Sequence, residues 1–180
     1  MEILKEGGVT APKGFKAASA AAEIKYKNRT DMAMIYSEKP CTQAGVFTSN
    51  IVKAAPVRWD KAVVTDSPFA QAVVVNSGIA NACTGKQGYE YCGATAKAAS
   101  ECLNIPDSAV LVASTGVIGK QLPMDRICAG IDAMVPNLKG DLESGHNAAL
   151  AIMTTDTHEK EVAVEIEIDG KTVTIGGMCK

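Results

Sequence analysis

Val110-Leu111-Val112-Ala113-Ser114-Thr115-Gly116-Val117-Ile118-Gly119 is the stretch around which the chain is organised. Ala109 to Ala113 is a short apolar run, rich enough in Val and Leu for a strand buried on both faces. It stops at Ser114-Thr115-Gly116, where small hydroxyl residues and a glycine predict a polar turn at the edge of a core. Glycine lets the main chain take positive φ, or lets another group approach its N–H closely. A backbone N–H beside a threonine hydroxyl forms a pair of donors on a rigid support, which is what a developing oxyanion needs. An ordinary strand-to-loop turn has the same composition. Composition alone therefore leaves the chemistry of Thr115 and Gly116 open.

A second apolar run, Ala72 to Val75, also ends in polar residues: Asn76-Ser77-Gly78-Ile79-Ala80-Asn81-Ala82. If the two strands are neighbours, both polar segments lie at one sheet edge, where α/β proteins tend to bind ligands. Asn76 and Asn81 serve equally well as turn residues that satisfy the backbone.

The remaining elements follow from periodicity. Gly7 to Gly14, with Pro12, is a looped lead-in, followed by a small apolar stretch at Phe15 to Ala22. Met32 to Tyr36 and Ala44 to Thr48 are expected to be strands joined by a turn at Lys39-Pro40. Tyr89 to Leu103 repeats Ala94, Ala98, Ala99 and Cys102 at helical spacing and closes at Asn104-Ile105-Pro106. Pro123 to Leu138 is a helix with Asp125 in its first turn and Ile127, Ile131 and Met134 as its buried stripe. Asn147 to Met153 predicts a short helix ending at Thr154-Thr155-Asp156-Thr157. Glu161 to Ile168 alternates strictly, and Asp169-Gly170 turns it into Lys171 to Ile175, a strong hairpin signal. Interleaved strands and helices with hairpins give an α/β layered sandwich of mixed β-sheets with outer helices.

The chain has 180 residues, 47% of them hydrophobic, and a net charge of −2, which suits one good core. No Lys- or Arg-rich run points to nucleic acid or an anionic membrane. The six cysteines form no Cys-x-x-Cys pair and only two histidines accompany them, so no metal site is expected. Cysteine among alanines behaves as a small hydrophobe, in keeping with a reducing cytoplasm. Met1 to Gly8 carries three charges and two glycines, unlike a signal peptide. Asn28-Arg29-Thr30 matches the glycosylation pattern, but without such a signal the match is chance.

Gly116-Val-Ile-Gly-Lys120 and Gly85-Lys86 fail as phosphate loops. The pattern's first glycine, separated by four residues from the Gly-Lys pair, is replaced by Ser114 or Ala80, and the Ser/Thr after the lysine by Gln121 or Gln87. Thr154 to Thr157 groups three hydroxyls and a carboxylate, as a helix-terminating turn would. Asp156 and His158 are spaced as a weak dyad, and His146 lies in a polar segment expected to be exposed. Lys180 follows the apolar Ile175-Gly-Gly-Met-Cys179 run, an odd place for a chain to stop; it points to a processed or partial sequence.

Taken together, four ordered motifs resemble the ornithine acetyltransferase family, the bifunctional glutamate N-acetyltransferases. They are Asn76 to Ala82, Ala113-Ser-Thr-Gly-Val-Ile-Gly119, Ile152-Met-Thr-Thr-Asp-Thr157 and Gly177-Met-Cys-Lys180, with Ala44-Gly-Val-Phe-Thr48-x-Asn50 in addition. The resemblance covers the N-terminal, α-chain half of the family's precursor, so residues 1–180 read as a single α-chain domain. It implies a precursor that cuts itself into α and β chains, the new N-terminal Thr of β being the nucleophile. It also implies a partner β chain that completes the sheets, in an α2β2 heterotetramer, and transfer of an acetyl group from N-acetylornithine to glutamate. Thr115 and Gly116 would form the oxyanion hole; Thr154, with Thr155 as the adjacent alternative, and Lys180 would contact substrate. A cationic Lys180 would suit an α-carboxylate or act on the nucleophile's amine. No cofactor is expected, and acetyl-CoA as a co-substrate stays open. Cys179 stands where the family commonly has a small residue. Two other classes compete: a self-cleaving amide hydrolase or aminopeptidase, and a non-enzymatic small-molecule binding module.

Overall fold

The computed structural model describes residues 1–180. Four strands build its main sheet in the order β2 (Phe15–Ala20), β3 (Met32–Cys41), β4 (Ala70–Ile79), β5 (Val110–Val117). The β2–β3 and β3–β4 pairs are antiparallel and β4–β5 is parallel, so the sheet is mixed. Alternation along each strand deals its side chains to two cores. Ala18, Met32, Met34, Ala72, Val74, Val110 and Val112 enter the larger one. Ala17, Ala33 and Val75 enter the smaller, with Ile35, Val73 and Ala113 packed against it.

Helices cover both faces. The larger core is closed by α1 (Ala55–Asp66), α2 (Gly85–Leu103) and α3 (Met124–Met134), and the smaller by α4 (Leu142–Ala151). In α3 the expected stripe is buried: Ile127, Ile131 and Met134. In α2 the stripe is rotated from the expected one. Gly88, Cys92, Thr95, Ala96 and Ala99 are buried while Ala94 and Cys102 are exposed, because tertiary packing selects among many small residues. Asn104 ends α2 in the left-handed conformation, its N–H donating to the Ser100 carbonyl. α4 begins five residues earlier than expected, since the Asp141 carboxylate caps it through the Ser144 N–H at 2.8 Å.

Three sequence expectations fail here. Lys39-Pro40 is not a turn: β3 runs through it, and the register slips between Tyr36 and Cys41, where Pro40 has no ladder bond to lose. Ala44 to Thr48 is not a strand; it pairs with neither edge of the main sheet, each of which is partly capped by other groups. On the β2 edge Ala17 and Lys139 exchange backbone hydrogen bonds. On the β5 edge Trp59 Nε1 donates to the Val110 carbonyl at 3.1 Å and Asp60 accepts from the Val112 N–H at 2.9 Å. Finally, the polar segments after the apolar runs are not turns. β4 and β5 continue through them side by side.

A second sheet, β1 (Glu2–Ile3), β6 (Lys160–Ile168) and β7 (Lys171–Cys179), is antiparallel. Its hairpin turns at Asp169-Gly170, both at positive φ, as a tight two-residue turn requires. Val164 pairs with Ile175 and Ile166 with Val173, so these share one apolar face with Val162 and Ile168. That face is open; Ile175 is 50% exposed. No helix is long and apolar enough to cross a membrane.

Candidate active site

The polar ends of β4 and β5 are in parallel register: Asn76 with Ser114, Ser77 with Thr115 and Gly78 with Gly116. Ser114 Oγ donates to Asn76 Oδ1 at 2.6 Å, and Asn76 Nδ2 donates to the Ile79 carbonyl at 2.9 Å, which locks the buried pair across the strands. Gly116 sits at φ +130°, and a Cβ built on it would lie 2.3 Å from the Gly78 carbonyl carbon. Only glycine fits so close to a neighbouring backbone. The pleat therefore presents the Thr115 side chain and the Gly116 backbone on the wall of a cleft of about 580 Å³.

The opposite end of the cleft comes from the turn after α4 and the end of β7. Thr115, Gly116, Thr154, Thr155 and Lys180 all line this one cleft. Ser77 Oγ ties the two sides, donating to the Ala151 carbonyl at the end of α4 at 2.8 Å. Asn81, fully buried, serves the backbone as the sequence suggested, with Nδ2 on the Gly88 carbonyl at 2.9 Å.

Asp156 does not form a dyad with His158. Its carboxylate accepts from the Thr154 N–H at 3.0 Å, from Lys160 at 3.2 Å and from Lys180, while His158 meets only the Thr157 hydroxyl at 3.2 Å. The Lys180 hydrogen bond, followed by the Thr154 N–H, holds the Asp156 carboxyl far below the usual carboxylate range. His146 is not a free surface histidine: it pairs with Glu161 at 2.6 Å, and that hydrogen bond raises its pKa.

Sequence reasoning missed the 25–31 side of the cleft, where Lys25, Tyr26, Arg29 and Asp31 lie. Asp31 is buried and folds this loop by accepting from the Ala22 and Ile24 N–H groups at 2.8 and 2.6 Å. Arg29 donates to the Met153 carbonyl, 124 residues away. No periodicity marks such residues; an Asp directly before a strand was the only local hint. The six cysteines are free, and burial, followed by the nearby Asp60 carboxylate, pushes the Cys92 thiol up to about 12. No three His, Cys, Asp or Glu side chains are grouped to hold a metal ion.

A mixed α/β protein with a polar cleft built across two parallel strands, one presenting a Thr-Gly pair, is the class that this architecture defines. The chain belongs to the ArgJ family, whose model matches residues 16–180. It is 52% identical over 176 residues to the arginine biosynthesis bifunctional protein ArgJ of Symbiobacterium thermophilum, covering 97% of this chain and 43% of that protein. With the ArgJ of Thermotoga neapolitana the identity is 48% over 170 residues, 94% of this chain and 42% of the relative. The chain thus spans less than half the length of these relatives. Among solved structures, Bacillus halodurans ArgJ superposes with a TM-score of 0.93 at 41% identity, covering 98% of this chain and 91% of that one. Ornithine acetyltransferase from Mycobacterium tuberculosis, complexed with ornithine, gives 0.91 at 45% identity, covering 98% and 93%. These neighbours carry the same two-sheet α/β architecture.

Proposed function

We propose that this chain is the α-chain portion of an N-acetyltransferase that moves the acetyl group of N-acetylornithine to glutamate in arginine biosynthesis. The observation that carries this is the convergence of the Thr115-Gly116 pair, Thr154 and Lys180, three separate places in the sequence, on one cleft. On this reading, the hydroxyl of a partner-chain threonine attacks the acetyl carbonyl, and the tetrahedral oxyanion takes hydrogen bonds from the Thr115 hydroxyl and the Gly116 N–H. The C–N bond then breaks, the proton released by the threonine hydroxyl passes to the leaving amine, and ornithine departs from an acetyl-threonine ester. The amine of glutamate attacks that ester, and the threonine oxygen leaves with a proton. Thr154, or Thr155 beside it, and the Lys180 ammonium hold the substrate; a fixed cation complements its α-carboxylate. Acid–base and electrostatic chemistry suffice, without a cofactor; acetyl-CoA is a candidate second donor to the same threonine.

Two exposed apolar regions support a partner β chain, within an α2β2 assembly. One is the outer face of the β1-β6-β7 sheet. The other is the segment after β3, where Val46 is 99% and Ile51 95% exposed. Open apolar surface of this extent marks an interaction site. The relatives' remaining length supplies a natural occupant. A cytoplasmic enzyme would suit a biosynthetic role.

Intact mass spectrometry of the full-length protein tests the proposal. The expected result is this chain together with a second beginning with Thr, and one acetyl group added to the second by N-acetylornithine and lost on adding glutamate as acetylglutamate forms. Acetate released without glutamate would indicate an amide hydrolase instead. Absence of any adduct or turnover would favour a binding module.

A further inference from the structure

We propose that Asp156 is a positioning residue whose carboxylate holds the Lys180 ammonium and the Thr154 backbone in one fixed relation, so that a substrate carboxylate meets a cation already in place. This rests on the cleft being the N-acetylornithine site. Three parts of the chain converge on Asp156. Oδ2 accepts from the Thr154 N–H at 3.0 Å and from Lys180 at the end of β7; Oδ1 accepts from Lys160 at the start of β6, 3.2 Å away. The Asp156 and Lys180 side chains are only 12% and 25% exposed, so the pair is largely shielded from solvent.

The turn that carries Asp156 is anchored elsewhere too. Arg29 donates to the Met153 carbonyl from the far side. Ser77, the register partner of Thr115, donates to the Ala151 carbonyl. Ser77 thus ties the Thr115 strand pair to the end of α4, and the backbone from Ala151 to Thr154 carries that anchorage to Asp156 and Lys180. Lysine has a flexible four-carbon stem, and its ammonium is a point charge with three donors. One donor is spent on Asp156, which fixes the head and leaves two for a ligand. The contact with Asp156 fixes where the ammonium sits, and Lys160 on the other oxygen of the same carboxylate leaves the cluster with a net positive charge toward a ligand. Pre-organisation of this kind improves binding by removing an ordering cost that the substrate would otherwise bear.

The test is a double-mutant cycle on the assembled full-length enzyme. Asp156→Asn keeps the shape and the acceptor for Thr154 but removes the charge. The expected result is a roughly tenfold higher KM for N-acetylornithine, about 1.4 kcal/mol, with kcat within about threefold and Tm lower by only a few degrees. Lys180→Ala should raise KM at least as much, and the double variant should be no worse than Lys180→Ala alone. Asp156→Glu, which retains the charge, should keep KM within about threefold of wild type; this variant carries the test if Asp156→Asn folds poorly. Multiplying effects in the double variant, an unchanged KM in Asp156→Asn, or a Glu variant as impaired as Lys180→Ala would each overturn the inference. With wild type active and Lys180→Ala impaired, those outcomes would leave the proposed function standing. A wild-type enzyme without acetyl transfer would overturn both.

Discussion

Replacing Gly116 by alanine is the sharpest perturbation of the cleft. The added Cβ would lie 2.3 Å from the Gly78 carbonyl carbon, 2.4 Å from its oxygen and 2.7 Å from the Ile79 nitrogen, all backbone atoms of the adjoining strand. Backbone cannot rotate aside as a side chain does, so β4 and β5 must part locally. A φ of +130° adds strain of about 1–3 kcal/mol for any L side chain. Overpacking contributes another ~1–3 kcal/mol. The expected loss is therefore about 2–6 kcal/mol, or roughly 4–24 °C in Tm for a chain of this size. The same shift moves the Gly116 N–H away from the position proposed for the oxyanion, which should lower kcat by about 10²–10³. Differential scanning calorimetry and single-turnover acetylation of the assembled enzyme read the two effects separately. An alanine variant with wild-type Tm and wild-type acetylation would refute both the packing argument and the proposed donor.

Thr115→Ala should separate chemistry from folding: turnover falls by about two orders of magnitude while Tm stays within a few degrees, and unchanged turnover would remove Thr115 from the mechanism. Burial, opposed by the Val112 N–H, pushes Asp60 up to about 6 from its ordinary 3.8. A folded-state pKa above the unfolded one gives stability that is complete below about pH 4 and lost as pH rises through about 6. Asp60→Asn, neutral throughout and still able to accept from Val112, should thus match wild type near pH 4. Above pH 6 it should be more stable by on the order of 1–3 kcal/mol. A pH-independent difference in urea titrations would contradict this. Gly170→Ala places a Cβ at φ +72° in the β6–β7 turn and should cost about 1 kcal/mol, measured as a lower urea midpoint with unchanged m-value.

Local signals in the sequence determined the elements whose stability is local. Asp169-Gly170 specified its hairpin because few residue pairs accept positive φ twice in succession. The 3.6-residue spacing of Ile127, Ile131 and Met134 specified the buried stripe of α3, and Asn104-Ile-Pro ended α2. Ordered motifs placed Thr115, Gly116, Thr154 and Lys180 as candidates, but nothing in their spacing shows that they share a cleft. That was decided by the parallel β4–β5 register, a pairing between segments 38 residues apart at Asn76 and Ser114. Apolar periodicity stops at Val75 and Ala113, so the sequence alone predicted turns there. The backbone ladder needs no apolar side chains and carried both strands onward. Ala44 to Thr48 has strand composition and no strand, since a strand exists only where a neighbour pairs with it and the fold brings none to this segment. Asp156 shows the same division most sharply. Its nearest titratable neighbour in sequence is His158, yet folding brings Lys180 to its carboxylate, because electrostatic partners are chosen by distance in space.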